Sequence, residues 1–333
     1  MRRGTWMANP VKRAAALCGI LVVVAAAQLV HAQSDFPTRQ VILINPYPPG
    51  GLADAVARQL SSRISVLWKQ PVVVDTRPGA TGNLGAAIVA KAAPDGYTML
   101  FTIPEALGIT KASGANVGFD PAGDLEPVAL VALSSTVLIV NADSKLKTFK
   151  DFMDFAAKNP GKLNFGTQGQ GSSFHLALEQ LKEMSGTDIV HVPYKGAAAA
   201  LTDLLAGRID AMIATTTLAA PNVKAGKVRA IAITSGERLT QFDGVPTVAE
   251  SGYAGFQYPV GLGVFVRAGT PKALVDRLNA DIRKVMHEAS FLEILAASAT
   301  LTTDLTASEF RVRWEKEVTQ VQRLIAKANI KFE

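Results

Sequence analysis

Val41-Ile-Leu-Ile44 runs into Pro46-Tyr-Pro-Pro-Gly-Gly-Leu-Ala-Asp54, and Leu163-Asn-Phe-Gly166 runs into Thr167-Gln-Gly-Gln-Gly-Ser-Ser-Phe-His175. Each unit is a short apolar run, a glycine-rich turn and the start of an amphipathic helical pattern. Such a turn leaves backbone N–H groups and the positive end of a helix facing its contents, which suits an anion. The turns lie more than a hundred residues apart, so two lobes can each offer one cradle to a single small acid.

Outward from these units the alternation continues. A helix is expected from about Leu52 to Val66. Val72-Val-Val-Asp75 reads as a strand feeding a third glycine turn, Arg77-Pro-Gly-Ala-Thr-Gly-Asn-Leu-Gly85, then an alanine-rich helix and the strand Tyr97 to Thr102. Strand–helix–strand repetition implies an α/β protein with mostly parallel sheets flanked by helices. Residues 103 to 127 read as irregular. The apolar runs 128–133 and 137–140 are placed where the chain crosses between lobes. Thr148 caps a helix that Pro160-Gly161 ends, and strands at 189–192, 210–214 and 228–234 complete the second lobe. A strand at 256–266 returns, followed by helices at 271–288 and 308–328. The first lobe is therefore discontinuous, residues 33–134 and 258–333, with residues 135–257 forming the second.

The amino end is read apart. Arg2, Arg3, Lys12 and Arg13 precede the apolar run Ala14 to Val30, and Val30-His31-Ala32 offers small residues for cleavage. This predicts a secretory signal peptide over residues 1–32 and export to the periplasm. Cys18, the one cysteine, leaves with it, so no disulfide and no thiol chemistry are expected. Removing those four basic residues takes the formal charge from +6 to +2. A balanced surface excludes the electrostatic footprint of a nucleic-acid binder.

The chemical candidates are few. His175, His191 and His287 have no zinc-pair spacing, so no metal is expected. Neither flanking turn carries a Walker lysine or a Gly-x-Gly-x-x-Gly before a helix, so no nucleotide cofactor is expected. Ser172 or Ser173 with His175 leaves a periplasmic hydrolase as an alternative, weakened by the absence of a Gly-x-Ser-x-Gly elbow. Asp54 either complements its helix and ties down the first turn or meets a polar ligand group.

The motifs then carry a resemblance. Phe36-Pro-Thr-Arg39, Pro48-Pro-Gly-Gly-Leu-Ala-Asp54, the run Pro71 to Gly85, Ala93-Pro-Asp-Gly-Tyr-Thr98, Asn159 to Gly166, His191-Val-Pro-Tyr-Lys-Gly196, Val245-Pro-Thr-Val-Ala-Glu250 and Ala268-Gly-Thr-Pro271 together resemble the Bug-type substrate-binding receptors of tripartite tricarboxylate transporters. The resemblance covers residues 36 to 333. It implies a two-lobed, type II-like periplasmic-binding-protein (Venus flytrap) architecture that closes on a small carboxylate. It further implies a monomer that delivers its ligand to a permease of one large and one small integral membrane subunit. A ligand-binding module for a membrane sensor would have the same lobes.

Carried over, the first cradle is Tyr47, Pro49, Gly50, Gly51 and Asp54. The second is Thr167, Gln168, Gly169, Gln170, Gly171, Ser172, Ser173 and His175. Departures from the family pattern fall at Thr215, where Ala214-Thr215 follows Asp210-Ala-Met-Ile213, and at Ile103-Pro104-Glu105. Glu105 is expected near the pocket: facing inward, its carboxylate would repel a second acid group on the ligand and favour a neutral, amide-like or cationic far end; pointing to solvent, it would have no such effect.

Overall fold

Apolar runs bounded by turns set the strands, and the computed structural model describes them over residues 36–296 and 300–330. The expected signal peptide lies outside these residues. In the first lobe, strand β1 (Val41–Asn45) leads to helix α1 (Leu52–Trp68), strand β2 (Val72–Thr76), helix α2 (Asn83–Ala90) and strand β3 (Thr98–Thr102). Both β2 and β3 pair parallel to β1, as right-handed strand–helix–strand units require. Helix α3 (Pro104–Ser113) and strand β4 (Leu125–Ser134) follow.

The chain changes sheets between Ser134 and Thr136. The second lobe comprises strand β5 (Thr136–Asn141), helix α4 (Phe149–Lys158), strand β6 (Asn164–Thr167), helix α5 (Ser173–Ser185) and strand β7 (Val190–Pro193). Helix α6 (Ala197–Leu205), strand β8 (Ala211–Thr215), helix α7 (Thr216–Lys224) and strand β9 (Val228–Ile233) complete it. Strand β10 (Val260–Arg267) returns to the first sheet, followed by helices α8 (Lys272–Met286) and α9 (Ala289–Ala296), strand β11 (Thr300–Thr302) and the closing helix α10 (Ala307–Lys327).

The sheet orders are β11-β4-β10-β3-β1-β2 and β7-β6-β8-β5-β9. The sheets are mixed rather than mostly parallel. The strands that cross between lobes run against their neighbours: β10 is antiparallel to β3 and β4, and β5 to β8 and β9. Parallel pairing is confined to the strand–helix–strand units that carry the glycine turns.

The region 103–127 also departs from expectation. It contains α3, whose Pro104 sits in the first turn and whose left-handed cap Gly114 ends it. Pro104 and Gly114, which read as irregular, are the helix's own start and stop signals.

Two features tie the lobes together. At the strand crossings, Thr136 and Thr234 share a buried hydrogen bond, and the Tyr258 N–H donates to the Thr234 carbonyl. The closing helix begins with a capping box of Thr306 and Glu309. Its Phe310, Trp314 and Val318 pack in the first-lobe core, and its Val321, Leu324 and Ile325 pack in the second. One amphipathic stripe at helical spacing thus serves two cores.

Candidate functional site

The second glycine turn is built outward from β6. Ser172 caps α5, its hydroxyl accepting from the His175 N–H at 3.3 Å. Helix geometry leaves the Ser173 and Phe174 amides without an intrahelical acceptor. The turn is held from behind. The Gly171 N–H donates to His175 Nδ1 at 3.0 Å, and Gly169 N–H to Thr167 Oγ1 at 3.3 Å. Thr167 Oγ1 in turn lies 2.6 Å from His191 Nε2. The His175 and His191 rings stack with centroids 3.6 Å apart. Burial, then the neighbouring His175, push the His191 imidazole down to about 4, so it is neutral at physiological pH. His175 Nε2 points to Glu179, 3.7 Å away. The Nδ1 of His175 is thus engaged in holding the loop, while its Nε2 faces Glu179 along α5.

The first turn is held by Asp54. Its carboxylate accepts from Gly50 N–H at 3.1 Å, Asn45 Nδ2 at 3.3 Å and Arg58 Nε at 3.0 Å. The Arg58 hydrogen bond leads in holding this buried carboxyl below the usual range. Tyr47 crosses to β3: its hydroxyl accepts the Ile103 N–H at 3.2 Å and bonds Thr102 Oγ1 at 3.1 Å.

Between the lobes lies a cavity of about 700 Å³. The second lobe contributes Gln168, Gln170, Gly171, Ser172, Ser173 and Thr215 of the expected residues, together with Phe174. From the first turn only Tyr47 lines it; Pro49, Gly50 and Gly51 are exposed, and Asp54 acts on the turn. Thr167, Gly169 and His175 stand behind the lining as supports.

Two further stretches line the cavity. Ala80, Thr81 and Asn83 belong to the third glycine turn, where Ala80 (φ 46°) and Thr81 (φ 56°) adopt the left-handed region between Gly79 and Gly82. Its place after a strand marks that turn for ligand contact, but these residues were not singled out. Ile103, Ala106, Ile109, Thr110 and Ser113 come from one face of α3, a helix hidden in the stretch expected to be irregular. Val260 of β10 closes the wall beside them.

Glu105 does not line this cavity. It sits on the opposite face of α3, where Oε1 accepts the Gly261 N–H at 3.0 Å. It borders a second cavity of about 400 Å³ with Tyr258, Gln180, Arg313 and Glu317. Burial, then the charge of Glu317, push its carboxyl up to about 8. The expected repulsion between Glu105 and a far acid group of the ligand has no geometric basis, because the helical spacing that brings 103, 106, 109 and 110 to the cleft turns 105 away.

Among the described residues, no cluster of His, Asp and Glu is placed to hold a metal ion, and no helix is long and apolar enough to cross a membrane. The model of the tripartite tricarboxylate transporter family receptor matches residues 56–330. A protein from the tcbD-tcbE intergenic region of Pseudomonas sp. (strain P51) is 37% identical over 314 residues, 91% of this chain and 93% of that one. Among solved structures, Rpa4515 of R. palustris with adipate is 32% identical with a TM-score of 0.73, covering 89% of this chain and 99% of that one. MatC (Rpa3494) from Rhodopseudomonas palustris with bound malate is 28% identical with a TM-score of 0.70, covering 87% and 100%. With the family model spanning both lobes and the cavity residues between them, the chain belongs to the tripartite tricarboxylate transporter receptor family.

Proposed function

We propose that this protein is a periplasmic solute receptor that captures a small organic acid between its lobes and delivers it to a membrane permease of one large and one small integral subunit. The observation that carries this reading is the cavity of about 700 Å³ whose walls come from both lobes and include the amide-bearing start of α5. The adipate and malate held by the related structures support a carboxylate.

The energetics require both lobes. A micromolar complex needs about 8 kcal/mol. Charge-assisted N–H bonds contribute roughly 1.5–3 kcal/mol each, and a partly buried helix start up to ~2 kcal/mol. The second-lobe turn alone falls short of that sum once association and ordering costs are counted; polar groups on the first-lobe side, Tyr47, Thr81 and Asn83 among them, add to it in a closed cleft. Closure is thus linked to binding, since the closed form alone presents both sets of donors. The engagement of His175 with Gly171 and Glu179 speaks against the hydrolase alternative.

Calorimetry with a library of organic acids, paired with small-angle scattering, tests the reading. We expect 1:1 binding of at least one carboxylate, no turnover, and a smaller radius of gyration on saturation. Failure of every carboxylate to bind would overturn it.

A further inference from the structure

The cleft has a polar arc and an apolar wall, and they differ in what they can hold. The arc carries the amide groups at the start of α5 and the hydroxyls of Ser172, Ser173 and Thr215. The apolar wall is made by Ile103, which caps α3, Ala106 and Ile109 of α3, Val260 of β10 and Phe174, with Tyr47, Thr81, Asn83, Thr110 and Ser113 as uncharged polar neighbours. Ile109 and Val260 pack against the buried second-lobe cluster that contains Phe174. No Asp, Glu, Lys, Arg or His is among the described residues that line the cavity.

We propose that the preferred ligand is a monocarboxylate with an apolar body, a ring or a short alkyl chain, whose acid group meets the α5 amides while its body lies on the Ile103–Ile109–Val260 wall. This rests on the carboxylate-receptor reading and narrows it. A second ionised acid group reaching the wall loses its water and finds no cation there, and burying an unpaired charge is strongly unfavourable. An apolar body instead gains from every methylene it removes from water, and two buried methylenes suffice for roughly tenfold in affinity. The volume of about 700 Å³ leaves room for a ring beyond the acid group.

The test is calorimetry on the secreted chain with benzoate, cyclohexanecarboxylate and hexanoate against malate and adipate. We expect the three monocarboxylates to bind at least about tenfold more tightly than malate, with a more negative heat-capacity change. Ala106→Ser and Ile109→Thr should weaken hexanoate several-fold and weaken malate by a smaller factor. Ala106→Ser is the milder change and keeps the test valid should Ile109→Thr disturb the core. Malate or adipate binding as tightly as the monocarboxylates, or both variants weakening all acids equally, would overturn the inference while leaving the receptor reading intact. Binding of none of the five would overturn the inference, and the wider acid library then decides the receptor reading.

Discussion

The Glu105 carboxylate accepts the Gly261 amide proton at 3.0 Å, joining the first turn of α3 to the strand that returns from the second lobe. Its other oxygen and the Tyr258 hydroxyl are buried with no hydrogen-bond partner among the described residues. Glu317 and Arg313 face the same cavity from the closing helix, paired with each other at 2.7 Å, and Tyr47 lies near enough to feel the Glu105 charge.

A pH dependence of stability follows from this pairing. Burial, then Glu317, raise the Glu105 carboxyl from 4.5 to about 8. A carboxyl held above its unfolded value binds its proton more tightly when folded. Its contribution is therefore full below the unfolded value and is lost as pH rises through about 8. Glu105→Gln keeps an acceptor for Gly261 and removes the titration. Because burial also raises the neighbouring Glu317, thermal melts at about pH 5 and about pH 9 should show a larger fall for the wild type than for the variant, with the variant higher at the alkaline end by ~2–4 °C for each 1 kcal/mol recovered. Parallel pH profiles for the two proteins would contradict this.

His191 acts in the opposite sense. Its imidazole is held down to about 4 by burial and by His175. A depressed group contributes stability above its ordinary value of 6.5, which is lost as pH falls toward 4. His191→Gln should flatten the acid limb of the stability profile. The same substitution should loosen the turn that Thr167 Oγ1 anchors at 2.6 Å from the ring. Chemical denaturation between about pH 4 and about pH 7, read beside carboxylate affinity at neutral pH, checks both effects. An unchanged acid limb would rule out a neutral buried His191.

Gly85 marks where a helix of the first lobe meets the first turn. A Cβ built on it falls 2.9 Å from Pro46 Cβ and 3.0 Å from Ile44 Cγ2. The proline ring is rigid and its backbone continues into Tyr47, so Gly85→Ala must push the first turn outward. Overpacking of this kind costs about 1–3 kcal/mol, against a helix-propensity gain of about 0.5–1 kcal/mol. A net loss in thermal stability is expected, with weaker carboxylate binding because the Tyr47 hydroxyl shifts from Thr102. Equal affinity in Gly85→Ala would show that the position of Tyr47 does not matter to the ligand.

The two flanking glycine turns, the strands feeding them and the return of the chain to its first lobe were legible because period and punctuation are local signals. The antiparallel crossings were not, since β5 and β10 are apolar on both faces and carry no directional mark. Helix α3 was masked by its own Pro104 and Gly114, read as loop rather than as caps. The site was legible where turn residues such as Gln168 and Ser172 line the cleft. It was hidden at Ile103, Ala106 and Ile109, because an apolar helix face that lines a cleft reads the same as one that enters a core. Glu105 was misplaced for the same reason: which side of a helix faces a ligand depends on its partners.

Thr81 sets stability against binding at one residue. Its φ of 56°, next to Ala80 at 46°, places two side-chain-bearing residues in the left-handed region at the cavity wall. Each such residue costs about 1–2 kcal/mol, and strain of this kind persists where the surrounding structure fixes it for a purpose. Thr81→Gly relieves the strain but makes the unfolded chain more flexible, an opposing effect of ~0.4–1 kcal/mol, so melting should change little or rise slightly. The turn then loses its fixed shape in the open form, and ordering it on binding should weaken the carboxylate by a few-fold. Thr81→Ala keeps the backbone strain and removes only the hydroxyl. A loss of affinity in the glycine variant that the alanine variant does not share assigns the effect to the backbone; equal losses in both would assign it to the Thr81 hydroxyl and refute preorganisation by strain.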